Sequence, residues 1–312
     1  MAPLAPSLCW FRAVMTACGL IAVTCCSFRL AKAEEKTFLL RYKFHAGQFL
    51  YYEVSHTMRI VTQYESAKEE VANSSQAWKQ LRVVSVDDAG NALLEPMVER
   101  VRMSAVRDGE EAADYDSARD ADPPPQFRQI KETVGTVMAR VSVAPNGELL
   151  QAIPVAQNNA ALVEAAKKND PRLNFLTVMP KTPVRIGDTW KDTFPAEVTV
   201  DKGLKQEVTI HRTYKLMSVN GAIATIKLNS SPVPRPDDPQ LLVQLMQRTP
   251  TGTIEFDLDK GMVVSTKTQI DETVYNPFGP KSSMSAQTRS IEKMLPGRPE
   301  FKTVSRATKP AE

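Results

Sequence analysis

Hydrophobic residues recur at every second position through most of the chain from residue 38 onward. The first such run covers residues 38–44 and the second covers residues 49–64. One face of the second run carries Leu50, Tyr52, Val54, Met58 and Ile60. This alternation is typical of antiparallel strands that are buried on one face. Runs at 75–86 and 92–106, joined by a turn at 87–91, predict a hairpin, so we expect four strands before the first helix.

The middle of the chain predicts a polar loop followed by short elements. Residues 107–125 are rich in Asp and Glu, which indicates a solvated loop. A short helix is expected at 126–133, ahead of Gly135, and then a hairpin at 136–153 that turns at Asn146-Gly147. The alanine-rich segment at 155–170 predicts a connecting helix, because alanine is the strongest helix former.

The same pieces recur in the second half of the chain. An Asp-Pro segment, a short helix, a Gly-Thr pair and a hairpin follow one another from residue 122 and again from residue 237. Residues 80–86 likewise resemble 213–219, and residues 47–49 resemble 187–190. The shared order predicts an internal duplication. The alternative is that any two antiparallel β segments look alike.

These patterns predict a mainly β protein with a few helices (α+β), built as a large curved antiparallel sheet or incomplete barrel with helices on its concave side. We expect a first β-rich half at 34–154, the connecting helix at 155–170, a second β-rich half at 171–295 and a disordered tail at 296–312. Whether the halves form one sheet or two domains stays open at this point.

Residues 1–33 have the pattern of a cleavable export signal. An apolar run at 13–28 is flanked by Arg12, Arg29 and Lys32, and it ends in the small-x-small sequence Ala31-Lys32-Ala33. The alternative is an uncleaved membrane anchor, but the run is shorter than the ~20 apolar residues that span a bilayer. We therefore expect a periplasmic or secreted protein, cleaved near Ala33.

Cleavage changes the composition of the chain. All four cysteines lie within residues 1–33, so the mature protein is expected to contain no disulfide, thiolate nucleophile or cysteine-ligated metal. Three of the 39 basic residues precede Glu34 and no acidic residue does, which leaves 39 − 3 = 36 basic against 36 acidic side chains. A balanced charge gives no electrostatic indication of nucleic-acid binding. The sequence after residue 33 contains no run long enough to predict a transmembrane span.

The sequence favours structural roles for its polar residues over catalytic ones. The three histidines, His45, His56 and His211, are far apart, and no common hydrolase, metalloprotease or nucleotide motif is present. The Asp pairs at 87–88 and 237–238 lie in turns, where an Asp side chain is favoured because it hydrogen-bonds to the nearby backbone. The acidic stretch at 114–122 offers oxygen ligands for calcium but lacks the glycine and glutamate of an EF-hand, which favours a solvated loop. We predict no catalytic residue, cofactor or metal site.

The stretch from Met179 to Trp190 resembles a family of exported bacterial proteins, frequent in planctomycetes, that is known only as a domain of unknown function. The shared motifs are Arg-Tyr-Lys-Phe-x-x-Gly at 41–47, Pro-Val-x-x-Gly-Asp-x-Trp at 183–190 and Gly-x-x-x-Phe-Asp at 252–257. The resemblance implies no activity or catalytic residues. It implies a curved sheet with helices, similar in outline to periplasmic lipoprotein carriers, which hold acyl chains in a half-open barrel.

Large apolar groups occur on both faces of the strand at 49–52, which is typical either of a packed core or of a sheet that lines an apolar cavity. We therefore expect a non-enzymatic binding or carrier module for an apolar small molecule or cell-envelope component. The residues expected to bind the ligand are Leu50, Tyr52, Val54 and Met58. The alternatives are a structural or protein-interaction module of the envelope and, more weakly supported, a hydrolase that uses two carboxylates.

Overall fold

The computed structural model describes residues 36–108, 110–155, 160–167, 170, 173–200 and 203–301. The predicted export signal, with its four cysteines, lies outside these residues, as does the part of the predicted tail at 302–312.

The chain between residues 36 and 301 is mostly β-strand. The strands are β1 (Phe49–Tyr64), β2 (Ala67–Val86), β3 (Ala92–Arg107), β4 (Ala113–Asp116), β5 (Ala139–Val143), β6 (Leu149–Pro154), β7 (Thr189–Thr199), β8 (Lys205–Asn220), β9 (Ile223–Val233), β10 (Thr251–Asp257), β11 (Met262–Tyr275) and β12 (Ser282–Leu295). The helices are α1 (Arg128–Lys131), α2 (Ala160–Lys167) and α3 (Pro239–Leu245), with 3₁₀ turns at Pro125–Phe127 and Met246–Arg248. No helix within the described ranges is both long enough and apolar enough to cross a bilayer.

All the described strands belong to one antiparallel sheet. Its order is β6-β5-β3-β2-β1-β12-β11-β10-β9-β8-β7, and β4 pairs with β3 off this path. The pairing of β1 with β12 joins the two halves, which therefore form a single sheet. Among the described strands, β6 and β7 are the two edges and do not pair with each other, so the sheet is not closed into a barrel. The predicted fold class is confirmed.

The two halves follow the same path through the sheet. In the first half β1, β2, β3, β5 and β6 are neighbours in that order, with the 3₁₀ turn and α1 between β3 and β5. In the second half β7, β8, β9, β10 and β11 are neighbours in that order, with α3 between β9 and β10. Strand β12 has no counterpart in the first half and lies between β1 and β11. The duplication itself stays a prediction.

The alternating segment at 38–44 is extended and buried, but it is not a strand of the sheet. Leu40, Tyr42 and Phe44 are buried. The backbone N–H of Tyr42 donates to the Pro145 carbonyl (2.7 Å) in the β5–β6 turn, and that of Lys43 donates to the Gly261 carbonyl (3.1 Å) in the β10–β11 turn. The prediction of a strand here was wrong because burial on one side produces period-two alternation without a neighbouring strand. We call residues 36–48 the strap.

These two strap hydrogen bonds show that the sheet is strongly curled. Strands β5 and β10 are six positions apart in the sheet, which would separate them by about 29 Å if the sheet were flat. Adjacent strap residues nevertheless bind the turns that follow β5 and β10. Helix α3 likewise contacts both β7 and β11 across three intervening strands. The strap and α3 therefore lie on the concave face. The sequence predicted that helices would lie on this face.

The polar loop predicted at 107–125 contains a short strand with buried residues. Tyr115 on β4 packs its ring against Phe127 at a centroid distance of 6.1 Å. Asp116 accepts hydrogen bonds from Arg100 at 3.0 and 2.6 Å and from Arg102 at 3.0 Å. Burial raises the pKa of the Asp116 carboxyl, but the hydrogen bonds from Arg100, the Ala118 amide and Arg102 outweigh it and lower the pKa to about 2. The solvated-loop prediction was wrong here because partners on β3 neutralise the acidic side chain.

The segment after β12 contacts the convex face of the sheet. Arg298 forms an ion pair with Glu99 at 2.8 Å, and the Glu99 side chain is only 5% exposed. The ring of Phe301 lies edge-on to Trp78 at 5.3 Å. Trp78 follows the inward-facing Ala77 on β2, and side chains alternate between faces, so Trp78 faces outward. Residues 298–301 of the predicted tail are thus held against the sheet.

Candidate ligand-binding cavity

A cavity of about 330 Å³ lies on the concave face, above the central strands β3, β2, β1, β12 and β11. The strands contribute Tyr52, Lys79, Leu81, Val98, Thr266 and Glu292 to its lining. Two segments outside the strands complete its lining, one between α1 and β5, which pairs with β3 at Val98, and the other at 175–177; we call them the covering segments. The covering segments contribute Thr133, Thr136, Met138, Phe175, Leu176 and Thr177. The volume is at the lower end of the range of about 300–1,000 Å³ typical of small-molecule pockets.

Strand register explains why these side chains meet. Tyr52 on β1 is directly opposite Lys79 on β2. Val54 on β1 is directly opposite Glu292 on β12, and Glu292 is in turn opposite Thr266 on β11. Directly opposed residues point to the same face of a sheet, and positions two apart on a strand share that face. All five side chains are therefore on the concave face.

Tyr42 of the strap forms one wall of the cavity and holds its cover. Its hydroxyl donates to the Thr177 carbonyl at 3.0 Å, and its ring stacks on Phe44 at 5.5 Å and meets Phe256 edge-on at 5.7 Å. Burial raises the pKa of Tyr42 well above its ordinary value, so the phenol stays protonated and remains a donor. The packing admits only glycine at position 147, where a Cβ would lie 2.6 Å from Cε2 of Tyr42.

The cavity contains a small polar group within its apolar lining. Lys79 Nζ and Glu292 Oε2 form an ion pair at 3.4 Å. Among the described residues, the Tyr52 hydroxyl has no hydrogen-bond partner. Burial raises the pKa of Tyr52, and the negative charge of Glu292 raises it further, so this phenol is also protonated. Lys79 and Glu292 are the charged residues of the described lining.

The four residues predicted to bind a ligand do not line one cavity. Tyr52 lines the cavity, whereas Leu50 is buried in the adjoining core and Val54 is half-buried beside Glu292 without reaching the lining. Met58 borders a separate groove of about 480 Å³. Residues 50 to 58 of a strand span about 26 Å, which is too long for one small cavity. Sequence alternation identified the correct face of β1 but not which part of it the cavity occupies.

Sequence reasoning missed Lys79, Glu292 and the covering segments. Lys79 falls on the same face of β2 as Leu81 and Val83, and Glu292 falls on the same face of β12 as Ala286, and these three apolar residues are buried. A charged residue at an inward-facing position was therefore the available signal. It could not be interpreted as a pair, because the two residues are 213 positions apart in the chain.

Two of the aspartates considered for catalysis are engaged within their own turns. Asp87 accepts from the amide of Asn91 at 2.8 Å within its turn, and Asp238 caps α3 by accepting from the amide of Gln240 at 2.8 Å, as the turn interpretation predicts. Burial lowers the pKa of His56, which favours the neutral imidazole. Within the part of the chain that the structure describes, no group of three or more His, Cys, Asp or Glu residues could hold a metal ion.

The motif at 183–190 has structural roles. Val184 pairs with Phe38 of the strap, and the Gly187 amide donates to the Leu216 carbonyl at 2.7 Å. Asp188 accepts from the amide of Arg185 at 2.9 Å. Trp190 donates from Nε1 to the Val178 carbonyl at 2.9 Å, which fixes the end of the covering segment. The motif thus holds the strap and the cover in place beside the cavity.

Comparison with known proteins gives a family match but no activity. Residues 173–263, which include this motif, match a family described as "Family of unknown function (DUF6263)". No curated protein matches the chain. A solved structure titled "Structure of DynF from the Dynemicin Biosynthesis Pathway of Micromonospora chersina" is 8% identical, with 84% of this chain and 86% of that chain covered and a TM-score of 0.21. That similarity is too low to support an argument about fold or function.

Proposed function

We propose that this protein is an exported, non-enzymatic binding or carrier module and that it holds an apolar small molecule or envelope component in the cavity on the concave face. The observation that carries the proposal is the cavity itself, a space of about 330 Å³ with a predominantly apolar lining beneath two covering segments. An apolar ligand in a cavity of this size gains packing contacts with the lining and is removed from water at the same time.

The surroundings of the cavity suit binding better than catalysis. Its charged residues, Lys79 and Glu292, neutralise each other, and its phenols, Tyr42 and Tyr52, are protonated. Protonated phenols can donate hydrogen bonds to a bound molecule. The proposal also includes a similarity in outline to periplasmic lipoprotein carriers and a periplasmic or secreted location after cleavage near Ala33.

An interaction module is the second candidate, and an exposed aromatic cluster favours it. Where the β1–β2 and β11–β12 hairpins end, the rings of Tyr64 and Phe278 lie 5.2 Å apart, and both side chains are more than 40% exposed. Tyr275 in the same region is 71% exposed. Exposed aromatic clusters are typical of protein interaction sites. An interaction through this cluster would not depend on the cavity. A substitution that fills the cavity would therefore impair the carrier function but not the interaction function.

Filling the cavity tests the carrier function. Thr266 faces the cavity from β11, so we expect Thr266→Phe to weaken binding of the neutral fluorescent probe N-phenyl-1-naphthylamine by about tenfold or more, equivalent to about 1.4 kcal/mol. The matched control is Thr268→Phe, two residues along the same strand and face, opposite Gly252 and outside the cavity lining. The measurement is a fluorescence titration of each purified protein.

The wild type and Thr268→Phe are expected to bind the probe saturably and with similar affinity. Both variants contain the same apolar N-terminal run, so any probe that binds to this run contributes equally to both titrations. Absence of saturable binding in the wild type would reject the carrier function. Equal affinity of the two phenylalanine variants, with unchanged thermal unfolding, would reject this cavity as the site.

A further inference from the structure

The polar group inside the cavity indicates what kind of molecule the cavity accepts. This step rests on the proposed function, because it assumes that the cavity holds a ligand. Three side chains form the group: Tyr52 on β1, Lys79 on β2 and Glu292 on β12. The ion pair joins two strands that flank β1, so it passes over the strand that carries Tyr52.

The charges of this group sum to zero. Lys79 contributes one positive charge and Glu292 one negative charge at neutral pH, and burial keeps the Tyr52 phenol uncharged. The Lys79 and Glu292 side chains are 40% and 36% exposed, so they remain partly in contact with water. A ligand with an ionised carboxylate would add a negative charge next to Glu292 without a partner of its own. The like charge of Glu292 opposes it, and removal of the carboxylate from water adds to the cost.

Protein atoms use only part of the hydrogen-bonding capacity of the group. The Tyr52 hydroxyl has no partner among the described residues and can both donate and accept. Lys79 has three N–H donors and Glu292 has two acceptor oxygens, of which the ion pair engages one each. An uncharged end group with both a donor and an acceptor satisfies these atoms without disturbing the charge balance. Hydroxyl and primary amide groups have this property.

We infer that the cavity binds an apolar chain that ends in an uncharged hydrogen-bonding group, such as a long-chain alcohol, amide or glyceride, and discriminates against long-chain carboxylates. The apolar lining holds the chain, and Tyr52, Lys79 and Glu292 bind its end. Glu292 is the residue that sets the discrimination, because its negative charge both neutralises Lys79 and repels a carboxylate.

Removal of the negative charge at position 292 tests this inference. In the wild type at pH 7.5, we expect 1-dodecanol to displace N-phenyl-1-naphthylamine with an affinity at least about tenfold higher than that of dodecanoate. Glu292→Gln leaves Lys79 free to pair with a carboxylate, so we expect dodecanoate affinity to rise about tenfold or more and the preference to reverse. The matched control is Glu272→Gln, since Glu272 also forms a 3.4 Å ion pair, with Arg235, but lies outside the cavity lining.

The outcomes separate this inference from the proposed function. Equal displacement by both compounds, unchanged in Glu292→Gln, would overturn the inference and leave apolar binding intact. Displacement by neither compound from a protein that binds the probe would overturn the inference as well. Failure of the wild type to bind the probe at all would overturn both. Reversed preference in Glu292→Gln, with Glu272→Gln behaving as the wild type, supports the inference.

Discussion

Replacement of Asp116 by alanine is expected to lower the free energy of unfolding by about 3–5 kcal/mol, because it leaves a buried arginine without its carboxylate. Asp116 on β4 forms a two-bond pair with Arg100, whose side chain is 8% exposed, and a further bond with Arg102. The rings of Trp78 and Phe301 pack against the Arg100 guanidinium, with centroids 5.5 and 5.1 Å from Cζ, and help to keep water from it. Chemical denaturation of the variant and the wild type measures the difference.

The chain contains a matched control for this prediction. Glu70 forms a comparable two-bond pair with Arg59, at 2.6 and 2.9 Å, but the two side chains are 29% and 50% exposed. Water and salt screen exposed ion pairs, so Glu70→Ala is expected to leave the free energy of unfolding nearly unchanged. A similar loss in both variants would show that burial of the Asp116 pair does not determine its contribution.

Replacement of Tyr42 by alanine is expected to cost about 3–5 kcal/mol, the range for truncation of a large aromatic core residue. The ring is buried between Phe44 and Phe256, and its hydroxyl joins the strap to the segment at 175–177. Its loss would leave a void where the strap meets the sheet of both halves. Thermal or chemical unfolding monitored by circular dichroism measures the effect.

Tyr42→Phe isolates the hydroxyl from the ring. This variant keeps the ring contacts and loses the hydrogen bond to the Thr177 carbonyl, which is expected to cost about 1 kcal/mol. A loss in Tyr42→Phe as large as that in Tyr42→Ala would show that the hydrogen bond, not the packing of the strap, stabilises this region. A loss below about 1 kcal/mol in Tyr42→Ala would contradict the burial of the ring.

Alternation and turn residues were sufficient to predict most of the strands. The hairpin at Asp87 and the turn at Gly147 lie where glycine and aspartate favour them, and the inward face of β1 carries Leu50 and Tyr52 as predicted. The shared order of the two halves was also visible in the sequence. Local pattern identifies these features because each depends on residues close together in the chain.

Features that depend on distant partners could not be read from the sequence. The strap alternates like a strand because the concave face buries one side of it, yet its hydrogen bonds go to turns more than 100 positions away, at Pro145 and Gly261. Strand β4 could not be predicted within its polar segment, because the arginines that neutralise Asp116 are on β3. The pair of Lys79 and Glu292 became visible only when the register of β1 with β2 and β12 was known.

Native mass spectrometry after incubation with a lipid extract tests the central claim most directly. The wild type and Thr268→Phe are expected to carry one added lipid mass per chain, and the added mass is expected to belong to an uncharged lipid species. Thr266→Phe, which fills the cavity, is expected to lack the lipid mass that the other two proteins carry. The absence of any added mass in the wild type, or the same added mass in all three proteins, would contradict a lipid site on the concave face.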